Sequence, residues 1–189
     1  MKIIQICGTN GVGKTTLVKN LLASDRFMRL AQVVNGVSRE WWFNGNVAVV
    51  GKYNDQNCCG VDAGNYSGDG LAATIEAIIS RYKPNVVLFE DVRFGGSFVF
   101  KQKLKHVADI VGYDYYILAL IADLDVSCNR VLNRSGNANA NYDSMRSKAR
   151  TVINSTKKAQ EIGAKTVFLN TGENSKIEVL NVLWRIINA

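Results

Sequence analysis

Apolar and polar residues follow one another along the chain in a pattern that predicts strands and helices in turn. Short apolar runs, typical of buried strands, occupy residues 2–7, 30–34, 85–89, 113–121 and 165–169. Apolar positions three and four apart predict helices at 14–23, 98–110, 125–134, 142–162 and 174–187, and one more that ends at 81. Such alternation favours a parallel sheet flanked by helices. We therefore predict one α/β domain over residues 1–189, with about five parallel strands.

One stretch departs from this alternation and predicts a small hairpin and loop insertion at about 39–70. Two β-prone runs, 41–43 and 47–50, are joined through Asn44 and Gly45. Asn-Gly is a strong hairpin signal because both turn positions need positive φ. The residues that follow, up to position 70, are rich in Gly, Asn, Asp and Ser, which predicts a loop. Asp69 is then the candidate N-cap of the next helix.

A glycine-rich segment lies between the first predicted strand and the first predicted helix. Gly8-Thr9-Asn10-Gly11-Val12-Gly13-Lys14-Thr15 matches the pattern G-x-x-x-x-G-K-[ST] at every position. The glycines let backbone N–H groups turn towards phosphate oxygens, and the start of a helix adds partial positive charge. Lys14 would reach the β- and γ-phosphates of a nucleotide, and the Thr15 hydroxyl would bind Mg²⁺. We predict that Gly8–Thr16 binds ATP, within the three-layer P-loop NTPase fold.

Hydropathy and charge indicate where the protein resides and what kind of partner it binds. No apolar run approaches the ~18 residues that a membrane span needs, so we expect a cytoplasmic protein with no membrane partner. The formal net charge is +7, and residues 93–165 hold twelve Lys and Arg against six Asp and Glu. Such a surface suits the phosphates of nucleotides or a nucleic-acid backbone. Charge alone does not separate these partners from an ordinary solvated face.

Two consecutive acids follow the apolar run at 85–89. Glu90 and Asp91 stand at the carboxyl end of a predicted strand. P-loop enzymes carry an acid at such a place, where it holds Mg²⁺ or activates the acceptor. Successive side chains of a strand point to opposite sides, so we expect only one of the two acids to face the phosphates. Glu90 is the candidate metal ligand, together with Thr15.

The residues at 91–94, Asp-Val-Arg-Phe, resemble the Asp-Arg-Tyr/Phe segment of thymidylate kinases and their relatives. A serine at 97 and a glutamine at 102 extend the likeness, while the valine between Asp and Arg is a departure from it. The resemblance implies that Asp91 and Arg93 lie beside the phosphate acceptor and take part in catalysis. Glu90 is the alternative for the acid.

Residues at about 125–150 are expected to form a helical lid. Arg130 and Arg134 are four residues apart in a predicted helix and share one of its faces. The polar stretch 137–141 and further basic residues follow. This order is similar to the lid of nucleoside monophosphate kinases, which implies that Arg130 and Arg134 close over the transferring phosphoryl group. An arginine so placed is worth ~10³–10⁵ in rate. The sequence has no Asn-Lys-x-Asp motif, which disfavours a signalling GTPase.

The insertion at 39–70 is the candidate acceptor site. Trp41, Trp42 and Tyr53 offer rings on which a base can stack, Lys52 offers a cation, and Asp62 offers a carboxylate. The alternative for the tryptophans is that they pack the hairpin onto the core.

Two runs in this insertion resemble a group of small phage P-loop kinases. They are Val-Gly-Lys-Tyr at 50–53 and Cys-Gly-Val-Asp at 59–62, with a cysteine where many members have glycine. The group includes the 5-hydroxymethyluridine DNA kinases. The resemblance implies an ATP- and Mg²⁺-dependent kinase that phosphorylates 5-hydroxymethyluracil in DNA, in the host cytoplasm. A free deoxynucleoside monophosphate kinase, similar to thymidylate kinase, is one alternative. A P-loop ATPase or nucleotide-binding module without phosphoryl transfer is another.

Overall fold

A computed structural model describes residues 1–53, 60–63, 66–135 and 142–189, with the backbone alone at 134 and 135. Among these residues one sheet contains seven strands: β1 Lys2–Cys7, β2 Met28–Val34, β3 Val37–Phe43, β4 Val47–Val50, β5 Val86–Glu90, β6 Asp114–Ile121 and β7 Lys165–Asn170. The helices are α1 Lys14–Ala23, α2 Gly60–Ala63, α3 Gly68–Tyr82, α4 Phe98–Val111, α5 Leu124–Ser135, α6 Tyr142–Glu161 and α7 Lys176–Asn188.

Five neighbouring strands of the sheet are parallel, in the order β4-β5-β1-β6-β7. Side chains of α3, α4 and α6 pack with one face of the sheet, around Ile3 and Phe89. Side chains of α1 and α7 pack with the other face, around Ile4 and Leu88. The three layers confirm the α/β prediction and form the P-loop NTPase fold.

The sheet is larger than the five strands predicted, because β2 and β3 extend it by antiparallel pairing. Asn35 and Gly36 form the turn between β2 and β3, with φ of 50° and 76°. Both values are positive, as a two-residue hairpin turn of type I′ requires. This Asn-Gly pair was not used in the prediction, which therefore placed a single strand at 30–34. The hairpin predicted through Asn44 and Gly45 is present between β3 and β4.

The start of α3 differs from the prediction. Ser67, and not Asp69, is the N-cap, and its hydroxyl accepts a hydrogen bond from the Gly70 N–H at 2.9 Å. Asp69 lies in the first turn and forms an ion pair with Lys103 of α4. Serine fits this position as well as aspartate does, so the residue type alone could not separate the two. The predicted loop also contains the short helix α2.

The carboxyl ends of the parallel strands lie at one edge of the sheet, where the loops after β1, β5, β6 and β7 come together. Ligands of open α/β sheets bind at this edge. Within the described part of the chain, every helix is too short or too polar to cross a bilayer.

Candidate active site

The glycine-rich loop after β1 is held close to its neighbours. A Cβ on Gly11, whose φ is 79°, would lie 2.2 Å from the carbonyl oxygen of Ser127 at the start of α5. Gly13 has a φ of 90° and is the residue that precedes α1. Glycine meets both demands, close backbone approach and a left-handed conformation. The loop therefore turns sharply into the amino end of α1, where unpaired backbone N–H groups favour an anion.

Lys14, the first residue of α1, is almost fully buried at the mouth of this loop. Its ammonium group donates hydrogen bonds to the carbonyl oxygens of Gly8 at 3.0 Å and Thr9 at 2.7 Å. Burial lowers the pKa of Lys14, while the carboxylates of Glu90 and Asp91 act to raise it. Among the described residues, the Lys14 ammonium group donates its hydrogen bonds to neutral carbonyl groups, which it is well placed to exchange for phosphate oxygens.

Glu90 and Thr15 meet beside the loop. The register between β1 and β5 places Glu90 next to Ile6, and the Thr15 hydroxyl donates to Glu90 Oε1 at 2.7 Å. Glu90 Oε2 is buried and has no hydrogen-bond partner among the described residues. Burial raises the pKa of Glu90 to about 7, against the lowering effects of the Thr15 hydrogen bond and Lys14. A hydroxyl and a carboxylate are ligands that Mg²⁺ takes beside nucleotide phosphates, so this pair fits the ion.

A cavity of about 660 Å³ extends from the loop along the edge of the sheet. It is lined by residues of the loop and α1, of the loops after β5 and β7, and of α2, α5 and α7: Asn10, Gly11, Val12, Gly13, Lys14, Thr15, Thr16, Leu17, Asn20, Asp62, Glu90, Val92, Arg93, Arg130, Thr171, Asn174, Lys176 and Val179. Its volume is within the range of small-ligand sites. The cavity thus brings together most of the residues that the sequence assigned to a nucleotide. Gly8 and Thr9 line a smaller cavity of about 200 Å³ instead.

The two cavity arginines come from different elements. Arg130 of α5 donates to the carbonyl oxygens of Gly11 at 3.3 Å and Thr171 at 3.0 Å, so it joins the glycine-rich loop to the loop after β7. Arg93 follows β5 and is exposed at the cavity. The side chain of Arg134, the other predicted lid arginine, lies outside the described residues.

Asp62 of α2 holds the loop that carries Arg93. Its carboxylate accepts hydrogen bonds from the backbone N–H of Val92 at 2.8 Å and of Arg93 at 3.4 Å. Asp62 also lines the cavity. We expected it to contact a substrate, and its two backbone contacts add a positioning role for this residue.

Asp91 faces away from the cavity. It is fully buried, and its Oδ2 accepts a hydrogen bond from the Gln5 side chain at 2.7 Å, while the Tyr115 hydroxyl donates to the same glutamine. Burial raises the pKa of Asp91 to about 6, against the lowering effect of the Gln5 hydrogen bond. Of the two strand-end acids, Glu90 is therefore the one that faces the phosphate loop.

The aromatic residues predicted to bind the acceptor lie elsewhere in the fold. Trp41 is fully buried in the core, with its ring centroid 5.8 Å from that of Tyr82, so it presents no face to a base. Trp42 and Tyr53 pack on the opposite face of the sheet. Lys52 forms a β-bridge with Gly60. Of the substrate residues predicted from the insertion, only Asp62 lines the cavity, and we drop Trp41 from the proposed site.

The loop after β7 supplies cavity residues that the sequence analysis missed. Thr171 accepts the Arg130 contacts and donates to the carbonyl oxygen of Val12 at 2.9 Å. Asn174 and Lys176 line the cavity beside it. The predicted topology could have indicated these residues. The loop follows a strand of a predicted parallel sheet, so it must emerge at the edge where ligands bind.

Comparisons with known proteins agree with this fold. Neither a scan against protein-family models nor a search of curated proteins finds a match to this sequence. The YorR protein of Bacillus subtilis, solved in complex with phosphorylated GDP, is similar with a TM-score of 0.62 over 98% of this chain and 95% of its own, at 13% identity. A candidate kinase from Chloroflexus aurantiacus is similar with a TM-score of 0.55 over 99% and 96%, at 15% identity. The chain therefore shares the kinase-like P-loop fold of these proteins.

Proposed function

We propose that this chain is an ATP-dependent kinase that requires Mg²⁺ and transfers the γ-phosphoryl group of ATP to a nucleotide-like acceptor. The observation that carries the proposal is the contact between Thr15 and Glu90, in the same cavity as Lys14 and the glycine-rich loop. The Thr15 hydroxyl and the second oxygen of Glu90, which has no partner among the described residues, stand where Mg²⁺ would meet the phosphates. The complex of the YorR protein with phosphorylated GDP supports nucleotide use in this fold.

Each group in the cavity has a task in phosphoryl transfer. The loop N–H groups and Lys14 bind and neutralise the β- and γ-phosphates, and bound Mg²⁺ would neutralise further charge between them. Arg130 from α5 and Arg93 from the loop after β5 add two further cations to the lining of the cavity. In the transfer, the acceptor oxygen forms a bond to the γ-phosphorus as the bond from phosphorus to the β,γ-bridging oxygen breaks and ADP leaves, and a hydroxyl acceptor releases its proton to solvent. Cations fixed around the γ-phosphate stabilise the charge that spreads over its equatorial oxygens.

Transfer to an acceptor is favoured over hydrolysis by the position of Arg93. Asp62 and Arg93 line the same cavity as the phosphate loop, and Asp62 fixes the backbone of the loop that bears this arginine. Hydrolysis needs only a water molecule beside the phosphates. A held arginine in the cavity wall suits instead a second molecule with a negative or polar group.

For the acceptor we propose the hydroxyl of 5-hydroxymethyluracil in DNA. The proposal draws on the resemblance of residues 50–53 and 59–62 to phage kinases and on the excess of basic residues at 93–165. A free deoxynucleoside monophosphate is the second candidate. Arg93 favours it, because an exposed arginine in the cavity is suited to a terminal phosphate.

The test supplies γ-labelled ATP and Mg²⁺ with one acceptor at a time: duplex DNA containing 5-hydroxymethyluracil, the same duplex with thymine, or each free pyrimidine monophosphate. We expect label in the modified duplex alone. Label in a free monophosphate would replace the DNA acceptor with the second candidate. Release of labelled phosphate at the same rate with every acceptor, and with none, would contradict the kinase proposal itself. Lys14→Met is the control for contaminating kinases.

A further inference from the structure

Eight of the twelve basic residues of 93–165 fall into two sets. The other four are Arg93 in the cavity, Arg134, whose side chain lies outside the described residues, and Lys148 and Lys158, which leave α6 in other directions than the second set. Members of the first set already have contacts within the protein. Lys103, Lys105 and Lys165 form ion pairs, Lys101 is buried, and Arg130 bonds to loop carbonyls. These cations stabilise the fold through contacts within the protein, or they line the cavity. The excess of positive charge available to a partner is therefore smaller and more localised than the sequence shows.

The second set lies on α6. Arg146, Arg150 and Lys157 are exposed and have no ion pair or hydrogen bond among the described residues. A helix turns about 100° per residue, so these three side chains leave it within an arc of about 40°. They span eleven positions, or about 16 Å along the helix axis. Asp143 and Glu161 bound this basic face at its two ends.

The basic face of α6 runs past the candidate active site. Ser155, on the opposite side of the helix from Arg146, donates to the carbonyl oxygen of Gly95 at 3.0 Å, in the loop that carries Arg93. Ala149 and Ile153, which border the basic face on the helix, line the smaller cavity together with residues of the glycine-rich loop. A ligand that follows the exposed face is thus next to the smaller cavity and one helix width away from the loop that carries Arg93.

We propose that the α6 face formed by Arg146, Arg150 and Lys157 binds the phosphate backbone of DNA and holds it beside the active site. Three cations without partners among the described residues, in a row about 16 Å long, match a regularly charged backbone, and that length corresponds to about five base steps of a duplex. A compact mononucleotide cannot contact the whole row. This inference rests on the proposed function, because it says how a DNA acceptor is held. DNA binding itself is measured without any transfer reaction.

The experiment measures the affinity of the full chain for a short fluorescein-labelled duplex of unmodified DNA, by anisotropy across a KCl series and without ATP. Each phosphate contact contributes a slope of about −0.9 to the plot of log Kobs against log salt. The variant R146Q/R150Q/K157Q is therefore expected to flatten the wild-type slope by about 2.7. The matched control K103Q/K105Q/K165Q removes the same charge from paired surface positions and is expected to keep the wild-type slope.

Three results would overturn the inference. The first is an equal change of slope in both triple variants, which would mean that only net charge matters. The second is an unchanged slope in the α6 variant while circular dichroism shows that it is folded. The third is binding of the wild-type chain to phosphatidylserine vesicles with no binding to the duplex, which would assign the face to an anionic membrane surface.

Failure of this inference is separable from failure of the proposed function. If the chain phosphorylates modified DNA and the α6 variant retains the wild-type salt slope, the proposed kinase function is supported and DNA binds to another surface. If the α6 variant has a flatter salt slope and no DNA is phosphorylated, the DNA-binding face on α6 is supported and the proposed DNA acceptor is wrong. If the chain phosphorylates a free mononucleotide instead of DNA, the α6 substitutions are expected to leave that rate unaffected.

Discussion

Glu90 and Asp91 are consecutive residues, yet they belong to two regions with opposite character. Glu90 faces the cavity, where Thr15 contacts one of its oxygens and the other has no partner among the described residues. Asp91 lies inside the protein, where Gln5 bonds to its Oδ2, while its Oδ1 also has no partner among the described residues. Both acids therefore have one open oxygen, and the difference is that Glu90 lines the cavity with Lys14 and Thr15 whereas Asp91 does not. Only the open oxygen of Glu90 is placed to meet a ligand in that cavity.

Two lysines repeat this contrast. Lys14 and Lys101 are both buried, and burial lowers the pKa of each. Lys14 lines the cavity and bonds to carbonyl groups of the loop. Lys101 extends from α4 and donates to the hydroxyls of Ser155 at 2.6 Å and Thr156 at 3.1 Å, which ties α4 to α6. Burial and a lowered pKa are therefore common to both lysines, and only access to the cavity distinguishes Lys14, the lysine that we propose acts in the reaction.

The largest expected effect separates these two lysines. Lys14→Met should lower turnover by on the order of 10³-fold or more, because a fixed charge beside the transferring phosphoryl group is lost. Lys101→Met should lower turnover by less than about tenfold, since a methionine of similar length fills the same space and replacing a buried charge is often tolerated. Steady-state rates with saturating ATP measure both.

Thermal unfolding provides the control, because both variants must be folded for the comparison to hold. Equal losses of activity in two folded variants would mean that the interior cluster takes part in the reaction. Such a result would remove the distinction drawn between the two regions.

The next expected effect separates the two acids. Glu90→Gln keeps the size of the side chain but removes the charge that would hold Mg²⁺, and we expect kcat to fall by ~10²–10⁴-fold, the range seen when an essential acid or base is lost. Asp91→Asn should cost less than about tenfold, because Asp91 does not line the cavity. The dependence of kcat on Mg²⁺ concentration should shift in the Glu90 variant alone. A crippled Asp91 variant beside a normal Glu90 variant would reverse the assignment.

Local patterns were sufficient to predict the geometry around the glycine-rich loop. The eight residues from Gly8 to Thr15 form strand end, loop and helix start in one continuous segment, so their spacing in the sequence fixes their relation in space. The alternation rule likewise predicted that Glu90 and Asp91 would face different ways. It could not say which one faces the loop, since that depends on the register between β1 and β5, which places Glu90 beside Ile6.

The acceptor side could not be predicted in this way. Trp41 has the residue type of a base-stacking platform, but β3 lies inside the sheet between β2 and β4, so its side chain is buried on the core face. Aromatic residues are as typical of a packed hairpin as of a binding site. Thr171 and Asn174 were missed for the opposite reason. They carry no motif, and only the pairing of β7 with β6 brings them to the cavity.

The smallest expected effect concerns stability and pH. Burial raises the pKa of Glu90 from 4.5 to about 7 in the folded protein, so between these values the folded state binds more protons than the unfolded state. The free energy of unfolding should therefore fall as the pH rises through this window. Asp91 should act in the same direction from 3.8 to about 6. Glu90→Gln removes the first contribution and should raise the free energy of unfolding at pH 8 by on the order of 3 kcal/mol. Asp91→Asn should flatten only the more acidic part of the profile. Urea unfolding without nucleotide, at intervals between pH 4 and pH 8, measures both profiles. Parallel profiles for wild type and Glu90→Gln would show that the Glu90 carboxylate is as well solvated in the folded protein as in the unfolded chain. The proposed metal site depends on an open, desolvated oxygen of Glu90, and this result would remove it.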